Sequence, residues 1–261
     1  MELAREISPK AQELFLLLRL FRKSLGCENS IDVLQAQKSF LRHIGRFEDA
    51  DLAGRIIAIQ SVAPLELLSS LSDGQLHSKF WLAEELGKIL SSRKGTRCFI
   101  VGGWTGLLSY ILLRLYPELY GKVRSFDLDP NCEWAADELN RRSVIESWRF
   151  KAITANALNL DYKQPSFMAL NETSWELLEE GIDLLVNTSC EHFPDFSDWW
   201  DRVPPGMLVA LQSNDFRQAE GHVNCVDSLE DFMEKAPLSE VLGQGTLNLG
   251  AYRRFLLVGV K

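Results

Sequence analysis

The chain has 261 residues, 46% hydrophobic and 25% charged, ordinary globular usage that allows one large domain or one domain with a helical attachment. No window approaches the roughly 20 uncharged apolar residues that span a bilayer. Glu2, Glu6 and Glu13 stand where a secretory leader would carry cations, so no membrane contact is expected and the location expected is cytoplasmic. The net charge of −8 is uneven: residues 1–80 hold ten Lys/Arg and ten Asp/Glu, leaving eighteen and twenty-six for residues 81–261. There is no basic tract, so no nucleic-acid partner is expected.

Five cysteines, at 27, 98, 132, 190 and 225, show neither CxxC nor Cys/His ligand spacing. They read as free thiols in a reducing compartment, and no metal site is expected.

The first 90 residues read as helices. Ser8-Pro9 is a helix start, with serine as cap and proline where its missing N–H costs nothing. Leu14, Phe15, Leu17, Leu18, Phe21 and Leu25 form its apolar stripe, and Gly26 is its stop. A second helix is predicted from Ser30 to Gly45, a third from Glu48 to Val62, a short fourth from Leu65 to Leu71, and a fifth from Leu76 to Ser92 after the Asp73-Gly74 turn.

Beyond residue 96 short β-type runs alternate with helical segments. Strands are predicted at Arg97–Val101, Val123–Asp127, Trp148–Thr154, Asp183–Val186 and Met207–Gln212. Helices are predicted at Leu107–Tyr116, Asn131–Arg142, Trp175–Glu180, Phe196–Arg202 and Ser228–Lys235. Val241–Leu247 and Arg253–Val260 then form an antiparallel hairpin around Gly250. Strands separated by helices imply right-handed crossovers and a mostly parallel sheet. The fold class expected is α/β, a Rossmann-like doubly wound seven-stranded sheet with a C-terminal antiparallel hairpin, plus an N-terminal all-helical domain. The division expected is 1–77 and 78–261.

In such a sheet a ligand sits beyond the strand C-termini, at the switch point beside the first strand. The loop there is Val101-Gly102-Gly103-Trp104-Thr105-Gly106. The second strand ends in Asp127, 21 residues after Gly106, where a carboxylate can accept hydrogen bonds from a ribose diol. Leu128 and Asp129 follow, and Asp129 is a competing acid whose plainer role is to start a helix. No GxxxxGK[ST] is present, so the loop is not a P-loop.

These residues, in this order, resemble the class I S-adenosylmethionine-dependent methyltransferases over about residues 80–261. The resemblance makes Val101, Gly102, Gly103, Trp104, Thr105 and Gly106 the cofactor loop, although Ile100 and Trp104 stand where the family usually has an acid and a central glycine. It makes Asp127 and Leu128 the ribose contact, and Asn156 and Ala157 the adenine contact. Asn187, after the fourth strand, is placed to touch cofactor or acceptor. Glu191-His192, followed by Pro204-Pro205-Gly206 before the fifth strand, is similar to the small-molecule branches. The implied cofactor is S-adenosyl-L-methionine and the implied activity is methyl transfer.

Catalytic candidates are His192, as a base titrating near neutral pH, with Glu191 and Asn187. Plainer roles are a hydrogen-bonded loop for Glu191-His192 and an inert buried thiol for Cys190. His222 is a weaker second candidate base. Between Lys163 and Arg202 there are nine acids and no Lys or Arg, with Phe193, Phe196, Trp199 and Trp200 interleaved. Acidic and aromatic walls suit an amine or other cationic acceptor; the plainer reading is a solvated helix face with its aromatics in the core. Two rival functions stay open: aminocarboxypropyl transfer from the same cofactor, as in the nicotianamine-synthase-like group, and a degenerate binding subunit without catalysis. The N-terminal helices read as a lid or a dimer arm, the latter compatible with a homodimer.

Overall fold

The computed structural model describes residues 7–25, 47–146, 148–170 and 174–261, without the side chains of residues 47–49. The helix expected from Ser30 to Gly45, with His43, and Cys27 before it, lie outside the described residues.

The chain begins with helices α1 (Pro9–Leu25), α2 (Phe47–Val62), α3 (Pro64–Ser70) and α4 (Asp73–Ile89). The start of α4 is set by Ser72, whose side chain accepts the Gln75 N–H, with Asp73 in the first turn and Lys88 in the last, both complementing the helix dipole. Next come β1 (Thr96–Val101), α5 (Leu107–Leu115), β2 (Tyr120–Asp127), α6 (Pro130–Leu139), α7 (Arg141–Ile145) and β3 (Phe150–Thr154). The hairpin β4 (Ser166–Leu170) and β5 (Trp175–Glu179) precedes β6 (Leu184–Asn187), α8 (Phe196–Arg202), β7 (Leu208–Asn214), α9 (Leu229–Lys235), β8 (Glu240–Asn248) and β9 (Arg253–Val260).

Seven strands form one sheet in the order β3-β2-β1-β6-β7-β9-β8. β1 is parallel to β2 and β6, β2 to β3 and β6 to β7, while β9 is antiparallel to both β7 and β8. This is the expected doubly wound sheet with its C-terminal hairpin. Strand order reverses beside β1, so the loops after β1, β2 and β6 converge on one crevice. Register does the same at finer scale, because Val101 lies opposite both Phe126 and Asn187.

The strands alternate between two apolar layers, as a sheet covered on both faces requires. Cys98, Ile100, Val186, Ala210 and Leu256 join one cluster with α1–α6, where Phe15 meets Phe80 edge-on at 5.3 Å. Phe99, Val101, Phe126, Leu185, Leu211 and Leu257 face the other cluster, which contains Trp199, Trp200 and Phe232. The N-terminal helices therefore share their core with one face of the sheet.

Two expectations are corrected. Trp175–Glu180, expected as a helix, is strand β5, paired antiparallel with a β4 that had no place in the predicted order. Its Leu and Glu content favours helix weakly, but Leu178 pairs with Phe167, and Phe167 is buried edge-on against Phe126 at 5.2 Å. Non-local packing of this kind overrides local propensity. The single helix expected over Asn131–Arg142 is broken at Asn140, which ends α6 and separates it from α7. The Asn140 Nδ2 donates to the Ala136 carbonyl at 2.9 Å and to the Gly106 carbonyl at 3.1 Å, tying the break to the loop after β1. Gly106 has φ +70°, and a Cβ there would come within 2.8 Å of that amide. Only glycine combines this backbone with so close a neighbour.

Candidate functional site

A cavity of about 540 Å³ lies over the C-terminal ends of β1, β2 and β6, within the size range of small-molecule sites. Its walls come from six places: Gly102, Gly103 and Trp104 after β1; Asp127 and Leu128 at the end of β2; residues 155–158 after β3; Thr188, Ser189, Glu191, His192, Phe193 and Pro194 after β6; Gln75 and Lys79 of α4; and Arg254 of β9.

Asp127 organises the first wall. Its Oδ2 accepts the Trp104 N–H at 2.7 Å, and its Oδ1 accepts the Asp129 N–H at 3.1 Å. Trp104 has φ +51°, a left-handed backbone uncommon for a bulky residue, and the bond to Asp127 holds it there. A carboxylate has about four acceptor positions, so two remain for a ligand. Asp129, the competing acid, caps α6 by accepting the Asn131 N–H at 2.9 Å and does not line the cavity. Asn156 and Ala157 line it, with Asn156 Oδ1 accepting the Leu158 N–H at 2.9 Å. Val101, Thr105, Gly106 and Asn187 stand behind the wall. Asn187 is fully buried; its Oδ1 accepts the Ser189 N–H at 2.9 Å and its Nδ2 has no partner.

The Glu191-His192 pair divides into two roles. Glu191 is buried, and its Oε1 accepts from Asn214 Nδ2 at 2.6 Å and Arg254 Nη1 at 3.1 Å. Arg254 is equally buried and also donates to the Thr188 carbonyl. The Glu191 carbonyl accepts the N–H groups of Val223 and Asn224 at 3.0 and 2.9 Å, fastening the loop after β7 to the turn after β6. His192 borders the cavity mouth, and partial burial is the main influence holding its pKa below the ordinary imidazole value. His222 is brought beside it, with ring centroids 4.6 Å apart. Cys190 is buried and its thiol is pushed far up by desolvation, the inert role.

Of the acids described between Lys163 and Arg202, only Glu191 lines the cavity. Phe196, Trp199 and Trp200 are in the core, and Phe193 alone of the interleaved aromatics reaches the cavity.

The largest feature missed in the sequence is Lys79. It is 6% exposed, its Nζ bonds Gln75 Oε1, and its pKa is lowered to about 7 by burial, with Arg254 adding to the effect and Glu191 opposing it. A lysine on the buried face of an apolar helix is a readable signal; that it reaches this cavity depends on how α4 packs. Arg254 gave a similar signal in an otherwise apolar strand. Together Lys79, Gln75 and Arg254 offer the donors that a carboxylate takes.

No protein-family model and no curated protein matches the chain. Solved structures do. N-methyltransferase NodS from Bradyrhizobium japonicum WM9, in complex with S-adenosyl-L-homocysteine, is similar at 11% identity and TM-score 0.50, over 78% of this chain and 98% of that one. The [4+2]-cyclase SpnF is similar at 12% identity and TM-score 0.52, over 72% and 82%. A possible exported protein from Bordetella parapertussis is similar at 14% identity and TM-score 0.51, over 97% of both chains. The likeness is one of fold: the chain has the Rossmann-like sheet that these structures share. Among the described residues no helix is long and apolar enough to cross a membrane.

Proposed function

We propose that the chain binds S-adenosylmethionine and transfers its methyl group to a small-molecule acceptor. The observation that carries this reading is Asp127, which ends β2 on the same cavity as Gly102, Gly103 and Trp104 with two acceptor positions free. In this reading Asp127 takes the ribose diol, Asn156 and Ala157 border the adenine, and Lys79 with Gln75 meets the carboxylate of the methionine moiety. The cofactor supplies a methyl already made electrophilic by its sulfonium. What the chain must then do is hold an acceptor in line and keep water out. Thr188, Ser189, His192 and Phe193 border the space left for the acceptor.

The acceptor class we infer is an amine or other cationic metabolite. Phe193 at the wall supports it through cation–π contact, and His192 beside it can take the proton that an ammonium must lose before it becomes a nucleophile. A thermal-shift screen is expected to find amines among the stabilising compounds; a screen in which only anionic compounds raise Tm overturns this class.

The cofactor reading is tested by calorimetric titration with S-adenosylhomocysteine. Asp127→Ala is expected to weaken binding by about 10- to 100-fold, the size of a lost hydrogen bond to a charged group. Unchanged affinity overturns the assignment of Asp127. With a turned-over acceptor, product mass decides between the gain of one methyl and the gain of an aminocarboxypropyl unit, the latter pointing to the rival chemistry.

A further inference from the structure

We propose that Glu191, His192 and His222 form a binding site for one borderline divalent transition-metal ion, of the zinc, cobalt or ferrous type, at the mouth of the cavity. One ligand atom from each of the three side chains lies within 4.8 Å of the others. His192 and His222 are thirty residues apart in the chain, so no ligand spacing marks the site in the sequence. The two Glu191 carbonyl bonds to Val223 and Asn224 bring them together.

Two further observations point to a cation. First, Glu191 is only 2% exposed, and while its Oε1 is taken by Arg254 and Asn214, its Oε2 has no partner. A buried carboxylate oxygen left without a partner is costly, and a metal ion would satisfy it. Second, both imidazoles are oriented from behind. His192 Nδ1 lies 3.1 Å from the Gly221 carbonyl, and His222 Nδ1 lies 2.7 Å from the Phe216 carbonyl. A carbonyl only accepts, so each Nδ1 carries a proton and Nε2 is the ring atom left to face an ion. Backbone carbonyls commonly hold metal-binding histidines in this way. Gly221 has φ +75°, and a Cβ there would sit 3.2 Å from His192 Nδ1, so the loop conformation and the support of His192 are one feature.

The donor set selects the ion. Two imidazoles and one carboxylate suit zinc and its first-row neighbours, whereas magnesium and calcium prefer oxygen donors. Arg254 already shares the Glu191 charge, which disfavours hard cations held by charge alone. Three protein ligands leave a coordination position open. An ion held there would occupy the same His192 Nε2 that takes the acceptor's proton in the methyl-transfer reading, so the two roles exclude each other at any one moment.

The test is titration of the metal-free, full-length protein with cobalt(II) alone, read by its visible d–d absorption and by calorimetry. One ion per chain is expected. His192→Ala and His222→Ala are each expected to cost at least the roughly 100-fold that loss of a mere supporting residue can cost, while His77→Ala on α4 leaves affinity unchanged. Glu191→Gln keeps the shape of the side chain and is expected to weaken binding as well, with circular dichroism melting to show that each variant is folded. Absence of binding, or binding that survives either His192→Ala or His222→Ala, overturns the site. S-adenosylhomocysteine affinity, measured on the same samples, reads the cofactor cavity separately, so metal failure with intact nucleoside binding leaves the methyl-transfer reading standing.

Discussion

Replacing Lys79 with methionine is expected to make the protein more stable and a worse binder. Lys79 is buried on α4, and its pKa is lowered from 10.5 to about 7, with burial the largest cause. That difference corresponds to about 5 kcal/mol between its charged and neutral forms. The sign follows from proton counting. Between pH 7 and 10.5 the unfolded chain holds a proton that the folded chain has released, so stability rises with pH through this window. Below pH 7 both states are protonated and the burial cost is felt in full. Lys79→Met removes the cost, so at pH 6–7 the variant is expected to gain about 1–4 kcal/mol, the usual return on replacing buried charge with well-packed apolar volume. The gain shrinks toward pH 10. Urea denaturation of both proteins at pH 6, 8 and 9.5 measures it; parallel stabilities across that range would show that Lys79 titrates as an exposed lysine does. The same variant is expected to bind S-adenosylhomocysteine about 10-fold or more weakly, because a charge-assisted bond to its carboxylate is gone. A site that costs stability and returns binding is the trade-off expected of functional residues.

Glu191→Ala is expected to cost about 3–5 kcal/mol, the effect of breaking a buried ion pair by removing one partner. Arg254 and Glu191 are 3% and 2% exposed, so neither can turn to water. Alanine leaves the Arg254 guanidinium buried against the Thr188 carbonyl alone, and leaves Asn214 Nδ2 without its acceptor. The double variant Glu191→Met/Arg254→Met is expected to recover part of the loss, because an apolar pair removes both desolvation costs together. Chemical denaturation of the single and double variants checks this. A Glu191→Ala loss below 1 kcal/mol would show that the pair is solvated and that Glu191 does not hold the turn after β6.

Much of this architecture was legible in the chain because it is written in local terms. The apolar stripe of α1, the five core strands and the final hairpin all follow from periodicity and glycine placement, which act over a few residues; the start of α4 did not, because Asp73-Gly74 read as a turn and is the first turn of the helix capped by Ser72. The loop after β1 and Asp127 were legible too, since any doubly wound sheet brings the ends of its first two strands to one crevice. Where local and non-local terms compete, the local reading failed. The Leu- and Glu-rich stretch at 175–179 became a strand because Leu178 pairs with Phe167, and the helix after β2 broke because Asn140 reaches back to Gly106.

The amino-acid sequence by itself determined the α/β class, the seven strands of the main sheet, the glycine loop and the acid that faces it, because each depends on neighbours within a turn or a strand. Only the tertiary structure decided which distant side chains share the cavity. It brought Lys79 from α4 and Arg254 from β9 to the wall, and it set His222 beside His192. It also turned most of the described acids after Lys163 away from the cavity and sent Trp199 and Trp200 to the core. The reason is physical: a charge run or an aromatic run has no direction until the sheet fixes which face each element presents. The −8 net charge marks the α/β part as acidic, but the cavity inside it carries buried Lys79 and Arg254.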